Sequence, residues 1–112
     1  MTPLSVIMAV KNERSYIQAS VESVLKQTFT DFEFIVVDDQ STDGTWTYLQ
    51  SLNDPRLKIF KNQGQGQTAG LNQALRLAQG EWIARMDGDD WSYPNRLEIQ
   101  YKARAQSSQA VL

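Results

Sequence analysis

Apolar and polar positions alternate between two periods along this chain. The run Leu4-Ser5-Val6-Ile7-Met8-Ala9-Val10 is nearly unbroken and rich in β-branched residues, which predicts a strand buried on both faces. After Lys11-Asn12-Glu13 the spacing changes: Ile17, Val21, Val24 and Leu25 fall on one side of a helix that is expected to end near Gln27. The plan then repeats. Residues 32–37 read as a second strand, residues 38–44 as a polar turn, and Trp46, Leu49 and Leu52 as a helical stripe closed by Asn53-Asp54-Pro55. Residues 57–61 make a third strand, followed by the polar loop 62–67 and a helix with Leu71, Ala74, Leu75 and Ala78 inward, stopped by Gly80. Residues 82–86 supply a fourth strand that runs into Asp87-Gly88-Asp89-Asp90. A last helix begins near Pro94, with Leu97 and Tyr101 on its inner face.

Strand and helix in strict alternation predict an α/β domain, a mainly parallel sheet with helices on both faces, because parallel neighbours need a crossover. The whole of residues 1–112 is read as one such domain. In these sheets ligands bind beyond the carboxyl ends of the strands. The segments to examine are therefore 9–12, 38–44, 62–67 and 87–90, each of which follows a strand.

Composition narrows the chemistry. With 41% hydrophobic, 21% charged and 10% aromatic residues, the chain is that of a folded globular protein. Eleven basic against thirteen acidic residues, with no basic stripe, exclude nucleic acid as a partner. There is no cysteine and no histidine, so a metal here must be held by oxygen ligands, which suits Mg2+ or Mn2+. No apolar run approaches the roughly 20 residues of a membrane span. A cytosolic setting is expected, with peripheral attachment to a membrane left open.

Six of the eight aspartates lie in two strand-end segments: Asp38, Asp39 and Asp43 in one, Asp87, Asp89 and Asp90 in the other. Crowding carboxylates costs free energy that a bound cation removes. Asp87-Gly88-Asp89 therefore reads as a pair of carboxylates converging on a divalent metal and its nucleotide, the glycine allowing a tight turn and close approach. The bland alternative is an acidic turn with Asp90 capping the next helix. In the earlier segment Asp38 and Asp39 are assigned to the ligand and residues 41–43 to structure, with Asp43-Gly44 shaping a first helical turn; Ser41 or Thr42 as simple helix caps is the competing reading. Gly64, Gly66 and Gly70 lack the spacing of a phosphate loop and read as a mobile lid or turn. Asn72 is placed one turn into its helix, within reach of a ligand or of the backbone. Trp46 and Trp82 are read as core, and Trp91, beside the aspartates, as the tryptophan that touches substrate.

Three ordered motifs closely resemble family 2 glycosyltransferases: Val6-Ile7-Met8-Ala9-Val10-Lys11-Asn12-Glu13, Ile35-Val36-Val37-Asp38-Asp39-Gln40-Ser41-Thr42-Asp43-Gly44, and Ala78-Gln79-Gly80-Glu81-Trp82-Ile83-Ala84-Arg85-Met86-Asp87-Gly88-Asp89-Asp90. The resemblance covers nearly the whole chain. It implies a nucleotide-diphospho-sugar transferase fold (GT-A, Rossmann-like), incomplete at its C-terminus, with this chain as the donor-binding half. By the same resemblance Ala9 contacts the nucleotide through its backbone, Asp39 with Asp38 beside it binds the base, Asp87 lies near the ribose, and Asp87 and Asp89 hold Mg2+ or Mn2+ on the diphosphate. The implied partners are a nucleotide-sugar donor, a UDP-sugar before others, and a saccharide or lipid-linked acceptor. The base that deprotonates the acceptor in inverting relatives comes from a later segment, so none is assigned here, and a fragment of a longer protein is expected. Leu71 departs from the pattern, since many relatives carry a basic residue there; Lys61 and Arg85 are the two candidates to replace it. An uncovered sheet edge favours self-association.

Three competing readings are weaker. A phospho-receiver domain places its acidic pair after the first strand, whereas Asp38 follows the second. A nucleotidyltransferase needs a glycine-rich loop where Lys11-Asn12-Glu13-Arg14 has none. A non-catalytic nucleotide-binding or interaction module is the remaining alternative.

Overall fold

The computed structural model describes residues 2–106. Four strands, β1 (Leu4–Val10), β2 (Phe32–Asp38), β3 (Leu57–Lys61) and β4 (Trp82–Arg85), form one parallel sheet in the order β3-β2-β1-β4. Register runs from Leu4 opposite Phe32 to Val10 opposite Asp38, so the ends of the two central strands lie level. β4 joins the other side of β1, with Leu4 opposite Trp82 and Ile7 opposite Arg85. The crossover from β3 to β4 therefore jumps over two strands. That reversal of strand order opens a crevice above the carboxyl end of β1.

Every residue of β1 and β2 is buried, as continuous apolar runs between two helical layers require. Successive side chains point to opposite faces. On one face Val6, Met8, Val10, Phe34 and Val36 pack with Ile17, Val21 and Val24 of α1 (Arg14–Leu25), Leu49 of α2 (Thr45–Gln50) and Leu97 of α4 (Arg96–Lys102). On the other, Ile7, Ile35 and Val37 pack with Ala74 of α3 (Gln67–Leu77). Each fully buried aliphatic or aromatic side chain contributes about 1.5–3 kcal/mol. The strand ends are thus rigid mounts for the loops that follow.

Several elements differ from the sequence expectation, each for a physical reason. β2 runs one residue further, through Asp38. α1 stops at Leu25 with Lys26 as its C-cap, because the Gln27 side chain is drawn to the segment around Tyr93. α2 is only six residues long; Leu49 is buried, but Leu52 lies beyond its end. Its Thr-Trp-Thr start favours extended backbone, so packing rather than propensity sustains it. α3 turns Gly70, Gln73 and Ala74 to the sheet, leaving Leu71 half-buried and Leu75 45% exposed, contrary to the expected stripe. Small residues let this helix approach closely: a Cβ on Gly70 would lie 3.1 Å from that of Ala9. Gly80 does not act as a left-handed helix stop, since α3 ends at an extended Ala78 and Gly80 has no positive φ. It is instead a close-approach site, where an added Cβ would meet the Ser5 nitrogen at 2.5 Å. α4 begins at Arg96, two residues after Pro94, whose carbonyl accepts from the Thr28 N–H at 2.8 Å.

Candidate functional site

The loops after β1 and β2 are stitched together by side chains bonding to backbone. Ser41 Oγ accepts from the Asn12 N–H at 2.9 Å, and Asn12 Oδ1 accepts from the Thr42 N–H at 2.7 Å. Asp43 accepts from the Thr45 N–H and, across 29 positions, from the N–H of Arg14, each at 3.0 Å, so it caps two helices. These bonds hold its carboxyl below the usual aspartate range, the Thr45 hydroxyl first and the Arg14 amide next. Ser41 and Thr42 are not helix caps; Gly44, at φ 97°, is the N-cap of α2. Asn12 and Gln40 both adopt positive φ, 51° and 57°, so each loop carries a left-handed turn at the strand ends.

Above β1 lies a depression of roughly 310 Å3 lined by Ala9, Val10, Lys11, Glu13, Asp39, Gly66 and Gln67. Ala9 and Asp39 thus line the same depression. Asp39 is 7% exposed, and its Oδ2 accepts from the Gly66 N–H at 3.0 Å, which fastens the 62–66 loop to β2 rather than leaving it a free lid. Asp38 stands elsewhere: it is 2% exposed, and its carboxylate takes the amide and hydroxyl of Ser41. It shapes the loop from beneath and does not line the depression. Asn72 is exposed and lines a separate depression between α3 and β4, with Leu71 and Arg85.

The acidic loop is held by α1. Gly88 packs so tightly that an added Cβ would reach Val10 Cγ1 at 2.8 Å and Glu13 Cγ at 3.1 Å. Its carbonyl accepts from Ser20 Oγ at 2.7 Å, the Ser92 N–H donates to Ser23 Oγ at 3.1 Å, and the Leu97 N–H donates to Gln27 Oε1 at 2.9 Å. Ser20, Ser23 and Gln27 are all buried. This polar stripe at helical spacing straps the loop in place. One oxygen from each of Asp87, Asp89 and Asp90 lies within 4.8 Å of the others. Three carboxylates so close form a hard-oxygen set that fits Mg2+ or Mn2+. Asp90 therefore joins the candidate ligands; it caps no helix, Asn95 being the N-cap of α4.

Charge accumulates between the two halves of the site. Burial and then the charges of Asp89, Asp43 and Asp87 raise the carboxyl of Glu13 above its ordinary value. Arg85 offsets part of this field, its Nε and one terminal nitrogen reaching Asp87 Oδ1 at 3.3 and 3.2 Å. Lys61 lies instead over the Trp46 ring, 5.0 Å from its centroid. Between the two candidates to replace a basic residue at position 71, Arg85 alone shares a depression with Leu71.

Trp91 is 57% exposed and edge-on to Tyr93, and it lines a shallow hollow against Ala19 and Glu22 of α1 and its C-cap Lys26, apart from the Ala9 and Asp39 depression. Glu13 is a lining residue to which sequence reasoning gave no role, and Gly66, read as part of a lid or turn, and Gln67 line the depression as well. Glu13 carries a signal, as the first acid after β1. The 62–67 loop carries only its position after β3, since its glycines match no phosphate pattern.

Over residues 5–111 the chain matches the family model described as Glycosyl transferase family 2. The UDP-Glc:alpha-D-GlcNAc-diphosphoundecaprenol beta-1,3-glucosyltransferase WfaP of Escherichia coli is 38% identical over 101 residues, which are 89% of this chain and 40% of that protein. The crystal structure of S. aureus TarS 1-349 in complex with UDP is similar at a TM-score of 0.86 and 31% identity, over 94% of this chain and 32% of the TarS 1-349 chain. The mannosyltransferase PcManGT from Pyrobaculum calidifontis, in complex with GDP-Man and Mn2+, is similar at a TM-score of 0.74 and 29% identity, over 88% of this chain and 31% of its own. The chain spans 36–40% of the length of the first curated relatives it matches.

Proposed function

Because the chain belongs to glycosyl transferase family 2 and has the parallel sheet of GT-A nucleotide-sugar transferases, we propose that it is the donor-binding portion of a glycosyltransferase that takes a nucleoside-diphosphate sugar with a divalent metal. The observation that carries this is the juxtaposition of an Ala9 and Asp39 depression with a three-aspartate cluster, joined where Gly88 packs on Glu13. Asp39 keeps Oδ1 available to accept from a base N–H, since Gly66 engages Oδ2. The backbone of Ala9 and the rim at Gly66 and Gln67 flank the nucleoside. Asp87 is assigned to the ribose, and Asp89 and Asp87, with Asp90 as a third oxygen donor, would hold the metal. Asn72 lies outside this line of groups and contacts the donor only if the donor reaches the α3 flank.

When bound there, Mg2+ or Mn2+ would supply Lewis-acid stabilisation of the charge on the departing nucleoside diphosphate. The protein's own contribution is positional: α1 and the stitched loops hold carboxylates in place before ligand arrives. The transfer is to an acceptor hydroxyl, with inversion, and belongs to the whole enzyme. A UDP-sugar fits the donors named for WfaP and TarS, and WfaP is named for a diphosphoundecaprenol-linked acceptor. The corresponding setting is cytosolic, with peripheral contact to a membrane where the acceptor is lipid-linked. No helix among the described residues is long and apolar enough to cross a membrane. The transferase names of the relatives do not favour a non-catalytic module, and a sheet whose acidic pair follows its second strand does not favour a receiver.

Calorimetric titration of UDP, with GDP alongside, with and without Mn2+ tests the reading. Binding that requires Mn2+ and is lost in Asp89→Ala is expected. A folded protein that binds neither nucleotide under either condition rules the donor site out.

A further inference from the structure

Resting on that donor-site reading, we infer that Arg85 is a positioning residue with two partners: it holds the carboxylate of Asp87 while the acidic cluster is unloaded, and turns to the donor's diphosphate when a metal takes Asp87. Arg85 ends β4 at the level of Ile7 and sends its side chain to Asp87, two residues on. Both nitrogens that reach Asp87 converge on the same oxygen, leaving Oδ2 free. The pair is half-open to solvent, with side-chain exposures of 50% for Arg85 and 42% for Asp87. An ion pair so exposed changes an equilibrium by at most about fivefold. It restrains Asp87 against its acidic neighbours yet is weak enough for a ligand to displace.

The other cations near the site have occupations. Arg96 donates to the Arg85 carbonyl and to Ser92, and Arg14 lies over the Tyr48 ring at 5.0 Å. Lys61 is over Trp46. Lys11 lines the Ala9 and Asp39 depression. Arg85 is the cation in contact with the metal cluster among the described residues. When a divalent ion binds, its charge and that of the guanidinium compete for Asp87. The displaced guanidinium then faces anionic phosphate, for which its planar fork is suited. The depression beside it, lined by Ile7, Leu71, Leu75 and Ile83, leaves the side chain room to swing.

The test is calorimetry on wild type, Arg85→Leu and Arg85→Lys with three probes: Mn2+ alone, UDP at saturating Mn2+, and uridine. Thermal melts check that each variant folds, and the lysine variant serves if the leucine one does not. In Arg85→Leu, Mn2+ alone is expected to bind about threefold tighter, because a competing cation is gone. UDP is expected to bind about tenfold weaker, because a charge-assisted contact to phosphate is lost, and uridine is unchanged. Arg85→Lys should fall between for UDP. These opposite signs are what a merely structural clamp does not produce. Parallel weakening of Mn2+ and UDP, or unchanged UDP affinity, overturns the inference. Wild type that binds neither UDP nor GDP sinks the donor reading itself, a result distinct from either; if GDP binds and UDP does not, GDP and guanosine replace UDP and uridine as probes.

Discussion

Two residues far from the site carry much of the specificity of packing. At Gly80 an added methyl would lie 2.5 Å from the Ser5 nitrogen and 2.7 Å from the Leu4 carbonyl carbon, both backbone, so neither neighbour can turn aside. Gly80→Ala is expected to cost about 3 kcal/mol, read from the midpoint of urea unfolding; a loss under about 0.5 kcal/mol would mean that the chain end of α3 shifts freely. Glu33 is an acid inside the sheet, 3% exposed. It accepts from the Ser5 hydroxyl, from Lys58 Nζ at 2.9 Å and from the Gln79 N–H at 2.6 Å. Burial pushes its carboxyl up, but the bonds from Lys58, Ser5 and Gln79 outweigh it and hold it below the usual value of 4.5. A depressed folded pKa gives stability that is present above pH 4.5 and lost as pH falls through the lowered value. Glu33→Gln should therefore destabilise by about 2 kcal/mol at pH 7, with solvent screening the half-exposed Lys58, and by progressively less between pH 4.5 and 2. Urea midpoints across that range measure the convergence.

α1 does two jobs with two stripes. Its apolar face packs on the sheet, while Ser20, Ser23 and, just past its end, Gln27 bind the segment that carries the aspartates. Gln27→Ala leaves the Leu97 N–H without its partner and takes one of two donors from the Tyr93 carbonyl, which keeps the Arg96 N–H, a cost of about 2 kcal/mol. Because the same segment carries Asp87 and Asp89, Mn2+ affinity should fall with it; a calorimetric titration that finds stability reduced but metal binding intact would separate strap from site. The loops after β1 and β2 are coupled in the same way through Asp43. In Asp43→Ala the amides of Arg14 and Thr45 should exchange with solvent faster, and hydrogen exchange reads both at once.

The whole molecule has one well-covered and one thinly covered face. Among the described residues α1, α2 and α4 pack on the first and α3 alone on the second, which leaves Leu75 and Leu77 exposed and opens the hollow beside β4. Among the described residues the outer edge of β4 is unpaired. Concentration-dependent association is the expected consequence, and sedimentation of wild type against Leu75→Glu checks it, the variant shifting towards monomer. Ligand linkage belongs to this scale as well. With Mn2+ present, UDP at a hundredfold excess over its Kd should add about 2.7 kcal/mol to stability, seen as a rise in Tm. UDP that leaves Tm unmoved at saturating concentration contradicts a site built on the folded chain.

The sequence by itself determined the alternation of strands and helices, because continuous apolar runs and helical stripes are local signals that packing then obeyed. It also singled out the segments after the strands and the clustered carboxylates Asp38, Asp39, Asp87 and Asp89, since strand ends in a parallel sheet and crowded acids can be read without coordinates. Only the tertiary structure decided which neighbouring acids do which work. Asp38 and Asp39 are adjacent in sequence, yet the pleat turns one to Ser41 beneath the loop and the other to the depression. Gly80 and Gly88 are close-approach sites defined by atoms of Ser5 and Val10, far off in the chain. The rotation of α3 that exposes Leu75, the capping of α1 by Asp43 and the pairing of Arg85 with Asp87 depend on how elements dock. Periodicity states that a helix has a buried side; where that side comes to rest is set by the neighbours it meets.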